Sequence, residues 1–84
     1  MADLKVEIVS IEGTVFNGTC HLIVVPSASG EIGVMYGHEA IISNLNNGDI
    51  KIFDSSNNIT KQIPIDKGFA EMQNQDKLLI LINQ

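Results

Sequence analysis

Tryptophan is absent, cysteine occurs once, and aromatic residues make up 5% of the 84-residue sequence. A core with so few rings has to be filled by aliphatic side chains. It also has little surplus, because a chain this short sits near the small end of what folds alone. The lone Cys20 excludes an internal disulfide and fits a reducing compartment. Basic residues are scarce: five against ten acidic ones, for a formal net charge of −5. Nucleic-acid binding draws on a basic face that releases counterions, and an anionic membrane surface repels a chain of this sign. Protein partners are the expectation that remains. No apolar run approaches the ~20 residues that a membrane-spanning helix needs. Met1-Ala2-Asp3 leads straight into Leu4-Lys5-Val6, so no signal peptide is expected and the chain reads as cytoplasmic. Without secretion, the glycosylation-like triplets Asn17-Gly18-Thr19 and Asn58-Ile59-Thr60 carry no meaning.

Helical periodicity longer than about a turn is missing too, as are repeats and linkers. What is present is isoleucine and valine, within a 44% hydrophobic content that argues against disorder. β-Branched side chains are stiff at χ1 and pack well on pleated surfaces, so the bias favours strands. Leu4, Val6 and Ile8 alternate with Lys5, Glu7 and Val9, a period of two. Val15-Phe16 starts a second strand, with Asn17-Gly18 read as a turn or bulge. Cys20 to Val25 is apolar on both faces toward its end, which predicts a central strand. Glu31 to Met35 and Ala40 to Leu45 are short extended segments, and Asn46-Asn47-Gly48-Asp49 is a hairpin signal. Ile50 to Phe53 alternates, and the polar turn 54–58 follows. Pro64 in the Ile59 to Ile65 strand lacks a ladder donor, which predicts an edge. Phe69 to Met72 and Lys77 to Ile82 close the chain around a turn at Asn74-Gln75-Asp76. The expected fold is all-β: an antiparallel β-sandwich or barrel of short strands in a single domain, residues 1–84.

The stretch Gly30-Glu31-Ile32-Gly33-Val34-Met35-Tyr36-Gly37-His38-Glu39-Ala40 concentrates the chemistry. Three glycines in eight positions predict a tightly curved, exposed loop carrying a carboxylate, a phenol and an imidazole. Val24-Val25-Pro26, a Ser/Gly turn, Gly-Glu-Ile-Gly-Val and then Gly37-His38 follow in an order that resembles one family closely. That family is the epsilon subunit of F-type ATP synthases, in its N-terminal β-sandwich domain. Val6-Glu7-Ile8-Val9-Ser10 and Val15-Phe16-Asn17-Gly18 upstream extend the resemblance, as do Gly68-Phe69-Ala70-Glu71-Met72 and Leu78-Leu79-Ile80-Leu81 downstream. The chain departs from the family pattern at Tyr36, where proline is usual, at Glu39-Ala40, and at Lys67, where a second glycine is usual.

The resemblance implies a sandwich of two packed sheets, about ten short strands, with the family's C-terminal helical hairpin absent from this sequence. It implies a non-catalytic rotor subunit that joins the gamma subunit to the c-ring, carrying proton-driven rotation toward ATP synthesis. The location implied is peripheral, on the cytoplasmic face of a bacterial inner membrane. No cofactor, metal, small-molecule substrate or direct membrane insertion is expected. Glu31 and His38, projecting from one end with Gly33 and Gly37 shaping the loop, are the expected ring-facing residues. Met35, Tyr36, Ile41, Ile42 and Met72 are the expected gamma-facing set, although such residues ordinarily belong to a core.

Other chemistry is weaker. Cys20 and His21 are adjacent on a strand and point to opposite faces, so they do not form a nucleophile and base; Cys20 reads as a small core hydrophobe. His21 and His38 lack zinc-ligand spacing, and the Gly30 to Gly37 segment lacks the Lys-Ser/Thr of a phosphate cradle. Two readings compete with the rotor subunit: a free-standing β-sandwich binding module, and a small enzyme using His38 with Glu39.

Overall fold

The computed structural model describes residues 3–37 and 41–84. Nine strands occur among them: β1 (Leu4–Ser10), β2 (Gly13–Cys20), β3 (Leu22–Ser27), β4 (Gly30–Val34), β5 (Ile42–Leu45), β6 (Gly48–Phe53), β7 (Ile59–Ile65), β8 (Lys67–Asn74) and β9 (Lys77–Asn83). They form one continuous ladder in the order β2-β1-β9-β8-β5-β3-β6-β7, with β4 on β3. The ladder curls into two layers, β2-β1-β9-β8-β5 and β4-β3-β6-β7, joined where β5 meets β3. Strict alternation drives the closure. Leu4, Val6, Ile8, Leu78 and Ile80 from the first layer meet Ile23, Val25, Ile50 and Ile52 from the second, all at most 1% exposed. Burying a Leu, Ile or Val side chain contributes about 1.5–3 kcal/mol, so this aliphatic set offsets the shortage of rings.

The sandwich agrees with the sequence reading, and so does Pro64, which lies on the terminal strand β7. Three local features differ. One pair, β1 with β9, is parallel, with Lys5 opposite Lys77 and Val9 opposite Leu81. The tight β1–β2 and β8–β9 turns force antiparallel pairing within each hairpin. No short turn joins β1 to β9, so nothing local sets their direction.

Asn17-Gly18 is neither turn nor bulge. Both residues pair within β2, opposite Glu7 and Val6, and the irregularity falls beside Val15 instead, where Phe16 faces Ile8 and Thr14 faces Val9.

Asn46-Asn47-Gly48 is not a hairpin either. β5 pairs with β8 and touches β3, and β6 pairs with β3 and β7, so the two strands form one extended run that changes layer. Strands that switch sheets are how sandwiches turn corners. Gly48 is required there by crowding, because a Cβ would sit 2.8 Å from Pro26 Cβ. Backbone bonds from Asn46 N to the Pro26 carbonyl (2.8 Å) and from Ala28 N to the Asn44 carbonyl (3.1 Å) fasten the corner. Buried Ser27 adds a 3.0 Å hydroxyl contact to Ser43.

Candidate functional site

The glycine-rich stretch is half strand. Gly30 to Val34 pair one by one with Ser27 back to Ile23, so the segment runs straight along the domain instead of curling. Glu31 therefore stands at the end that holds the turn around Ser29, and Gly37 stands at the other, where its N–H donates to the Gln75 carbonyl at 2.7 Å. The strand from Glu31 to Val34 alone spans about 10 Å at ~3.3 Å per residue. The expectation that residue 31 and the Gly37 loop share one end is corrected by this ladder; His38 and Glu39 lie outside the described residues.

The glycines divide by role. Gly30 (φ 116°) and Gly37 (φ 84°) need positive φ and shape the entry to β4 and the bend after it. Gly33 shapes no loop. It is an in-register strand residue whose missing side chain makes room for Leu22 Cδ1, 3.3 Å from where a Cβ would be.

Glu31 is exposed and faces Lys51 across β3, with Nζ to Oε2 at 3.8 Å. The same end carries the β1–β2 turn, where Ile11 is 99% exposed. A fully exposed isoleucine on a two-residue turn adds nothing to the fold of the free domain.

Of the apolar residues expected to face a partner, Met35, Tyr36 and Ile42 are exposed. Ile41 is partly buried against the core, and Met72 lies within it. Parity decides the correction: Ala70 and Met72 point inward on β8, so Phe69 and Glu71 point outward. Ile11, Ile59, Phe69 and Leu81 are exposed apolar residues that sequence reasoning missed. The signal was there in Leu78 to Ile82, where five consecutive apolar residues require that both faces of β9 be apolar.

At the Gly37 end a half-open cavity of about 210 Å³ lies between the layers, lined by Asp3, Cys20, His21, Phe53, Asp54 and Thr60 among others. Burial, and then the charge of Asp3, push the Cys20 thiol up to about 11, so it stays protonated and is a poor nucleophile. The N–H of Asn58, followed by that of Ser56, holds the Asp54 carboxyl below its usual range, through bonds of 3.0 and 2.9 Å. Among the described residues no group of three or more His, Cys, Asp or Glu is placed to hold a metal ion. No helix among them is long and apolar enough to cross a membrane.

The model of the family described as "ATP synthase, Delta/Epsilon chain, beta-sandwich domain" matches residues 3–84. This chain belongs to that family. The ATP synthase epsilon chain of Helicobacter pylori (strain ATCC 700392 / 26695) is 40% identical over 75 residues, covering 89% of this chain and 59% of that relative. That of Bordetella avium (strain 197N) is 42% identical over 52 residues, covering 62% of this chain and 37% of the relative. This epsilon-family chain thus spans about three-fifths of the length of the Helicobacter relatives it matches. A chain in the cryo-EM structure of the Euglena gracilis mitochondrial ATP synthase, OSCP/F1/c-ring in rotational state 1, superposes with a TM-score of 0.88 at 20% identity. The match covers all of this chain and 52% of that one. A chain in the Tetrahymena thermophila mitochondrial ATP synthase central stalk/c-ring structure superposes at 0.81 with 14% identity, covering 96% and 63%. At these identities the two structures show that the epsilon-family fold is shared.

Proposed function

We propose that this chain is a non-catalytic central-stalk subunit of an F-type ATP synthase. Residues 1–84 act as its epsilon-type N-terminal domain, joining the gamma subunit to the c-ring so that proton-driven rotation reaches the catalytic head. The observation that carries the reading is the family match along residues 3–84, supported by epsilon chains near 40% identity. The domain then sits peripherally on the cytoplasmic face of a bacterial inner membrane, as one part of a membrane-associated complex.

The geometry supplies what such a linker needs. Torque passes through a body only if the body does not deform, and a close-packed aliphatic sandwich with a continuous ladder is stiff. The Ser29 end, with Glu31 and Ile11, is the ring-facing surface: a carboxylate for basic loop residues and an apolar anchor for a groove. The outer face of the β2-β1-β9-β8-β5 layer, with Ile42, Phe69 and Leu81, is the gamma-facing surface.

Calorimetry against the gamma subunit from the same genome tests the reading. Saturable one-to-one binding near micromolar, about −8 kcal/mol, unchanged by Glu31→Ala, is expected. In the assembled synthase, Glu31→Cys is expected to cross-link to the ring. Failure to bind gamma at tens of micromolar, with no cross-link, would move the free-standing binding module to first place.

A further inference from the structure

The parallel pair has a consequence for the outer face of its layer. β1 reads Lys5-Val6-Glu7-Ile8-Val9 and β9 reads Lys77-Leu78-Leu79-Ile80-Leu81. Parallel pairing keeps the two sequences in phase, so like faces like: Lys5 opposite Lys77, and Val9 opposite Leu81. The alternate residues Val6, Ile8, Leu78 and Ile80 are buried, which turns these outward. Antiparallel β8 extends the pattern, placing Glu71 opposite Leu79 and Phe69 opposite Leu81. Glu7 stands on the other flank of Leu79.

Three rows therefore cross the strands in a fixed order. The first is basic, Lys5 and Lys77. The second carries the acids, Glu7 and Glu71 on either side of Leu79, and ends on β5 at exposed Ile42 opposite Glu71. The third is apolar, Val9, Leu81 and Phe69. Two residues of strand separate successive rows, about 7 Å. Glu7 and Glu71 lie two strands apart, roughly 9.5 Å.

This arrangement does not help the domain stand alone. Like charges directly opposite each other on a sheet are destabilising. Lys5 is offset only by an exposed pairing with Asp76 at 3.7 Å. Leu81 at 47% and Phe69 at 36% exposure leave apolar area in water. Ordered rows of this kind do serve a docking partner, because complementary charge fixes register and excludes wrong orientations.

We infer that the three rows set the angle at which the gamma subunit docks, and that its matching surface presents acidic, basic and apolar side chains in that order. The inference rests on the central-stalk reading above. Two cations about 9.5 Å apart on gamma bracket Leu79, by the spacing of β1 and β8.

Two double variants test it by calorimetry with gamma, at low and high salt. Glu7→Lys with Glu71→Lys and Lys5→Glu with Lys77→Glu move the net charge in opposite directions. If row order matters, both lose at least tenfold in affinity, more at low salt. If only net charge acts, their affinities move oppositely, and the inference is overturned; unchanged affinities overturn it too. Glu7→Gln with Glu71→Gln, with folding checked by amide NMR, guards against loss through unfolding, and is expected to weaken binding severalfold; wild-type affinity in it counts against the rows. Failure of the wild-type chain to bind gamma would instead overturn the central-stalk reading, and the row order with it.

Discussion

The two outer faces of the sandwich are built alike and behave as opposites. On the β4-β3-β6-β7 face the polar side chains satisfy one another: Lys51 pairs with Glu31, and Gln62 Nε2 donates to Asp49 Oδ2 at 2.7 Å. Its apolar residues Leu22, Val24 and Phe53 are half-buried among them, and Ile59 at the start of the edge strand β7 is its one large exposed hydrophobic among the described strand residues. On the β2-β1-β9-β8-β5 face, apolar side chains stand out and lysine faces lysine. A face that pairs its own groups is finished in water. Lys5 does reach Asp76 at 3.7 Å on the second face, but Leu81, Phe69 and Ile42 stay uncovered there. The clustering of Ile42, Phe69 and Leu81 on one face supports the gamma-facing surface proposed above, since exposed apolar residues otherwise occur singly on every protein surface.

The largest effects should erase the contrast, because inside the molecule the layers are equivalent. Ile80 and Ile23 are both fully buried, one from each layer. Ile80→Ala and Ile23→Ala are each expected to cost about 2–4 kcal/mol, a large part of the ~5–10 kcal/mol that holds a domain of this size. Denaturant titration should show one transition for both, with coincident midpoints by circular dichroism and tyrosine fluorescence. Separate transitions would mean that the layers unfold independently.

Glycine substitutions sharpen the contrast. At Gly68 in β8 a Cβ would lie 2.6 Å from the Leu81 carbonyl oxygen, a backbone atom that cannot step aside. Gly68→Ala is expected to cost about 1–3 kcal/mol, the range for overpacking. At Gly33 in β4 the neighbour is a leucine methyl at 3.3 Å, which can rotate. Gly33→Ala should stay within about 0.5 kcal/mol. Equal losses at the two positions would show that the β8–β9 contact relaxes.

These glycines also show what was legible in the sequence. Alternation named the inward side of β1 and β6, because period two is local. The turn chemistry of Asn46-Asn47-Gly48 was visible, but its meaning was not: Gly48 answers to Pro26, twenty-two positions earlier. Glu31 and the Gly37 loop looked like one site because they are near in sequence, whereas the β3–β4 ladder carries them apart. Phe69 and Leu81 went unread because a strand that is apolar on both faces does not say which face is covered. Long-range register decides each of these, and no window of ten residues contains it.

Smaller effects on stability, and larger ones on binding, separate the faces. Leu81→Ser and Phe69→Ser are expected to cost about 0.5–1.5 kcal/mol of stability, in proportion to their half-buried area, while weakening gamma binding at least tenfold, about 1.4 kcal/mol. Lys51→Ala and Gln62→Ala on the other face should change neither by more than about 0.5 kcal/mol. Loss of gamma binding in the second pair would reverse the assignment of faces.

The finest test is the pH dependence of Cys20, which lies at the end of β2 between the layers and reports on whether they part. Its ordinary value is 9.0 and burial raises it to about 11, so the fold favours the protonated thiol. The contribution is therefore whole below pH 9 and is lost as the pH climbs toward 11. Cys20→Ala is expected to cost on the order of 1 kcal/mol at pH 7, for the contacts of one sulfur. Its stability should fall less than the wild type's between pH 9 and 11. A thiol reagent at pH 8 should label Cys20 only as fast as the layers open. Rapid labelling of the folded domain, with identical alkaline slopes for wild type and variant, would mean that the thiol reaches water through the cavity beside His21 without the layers separating.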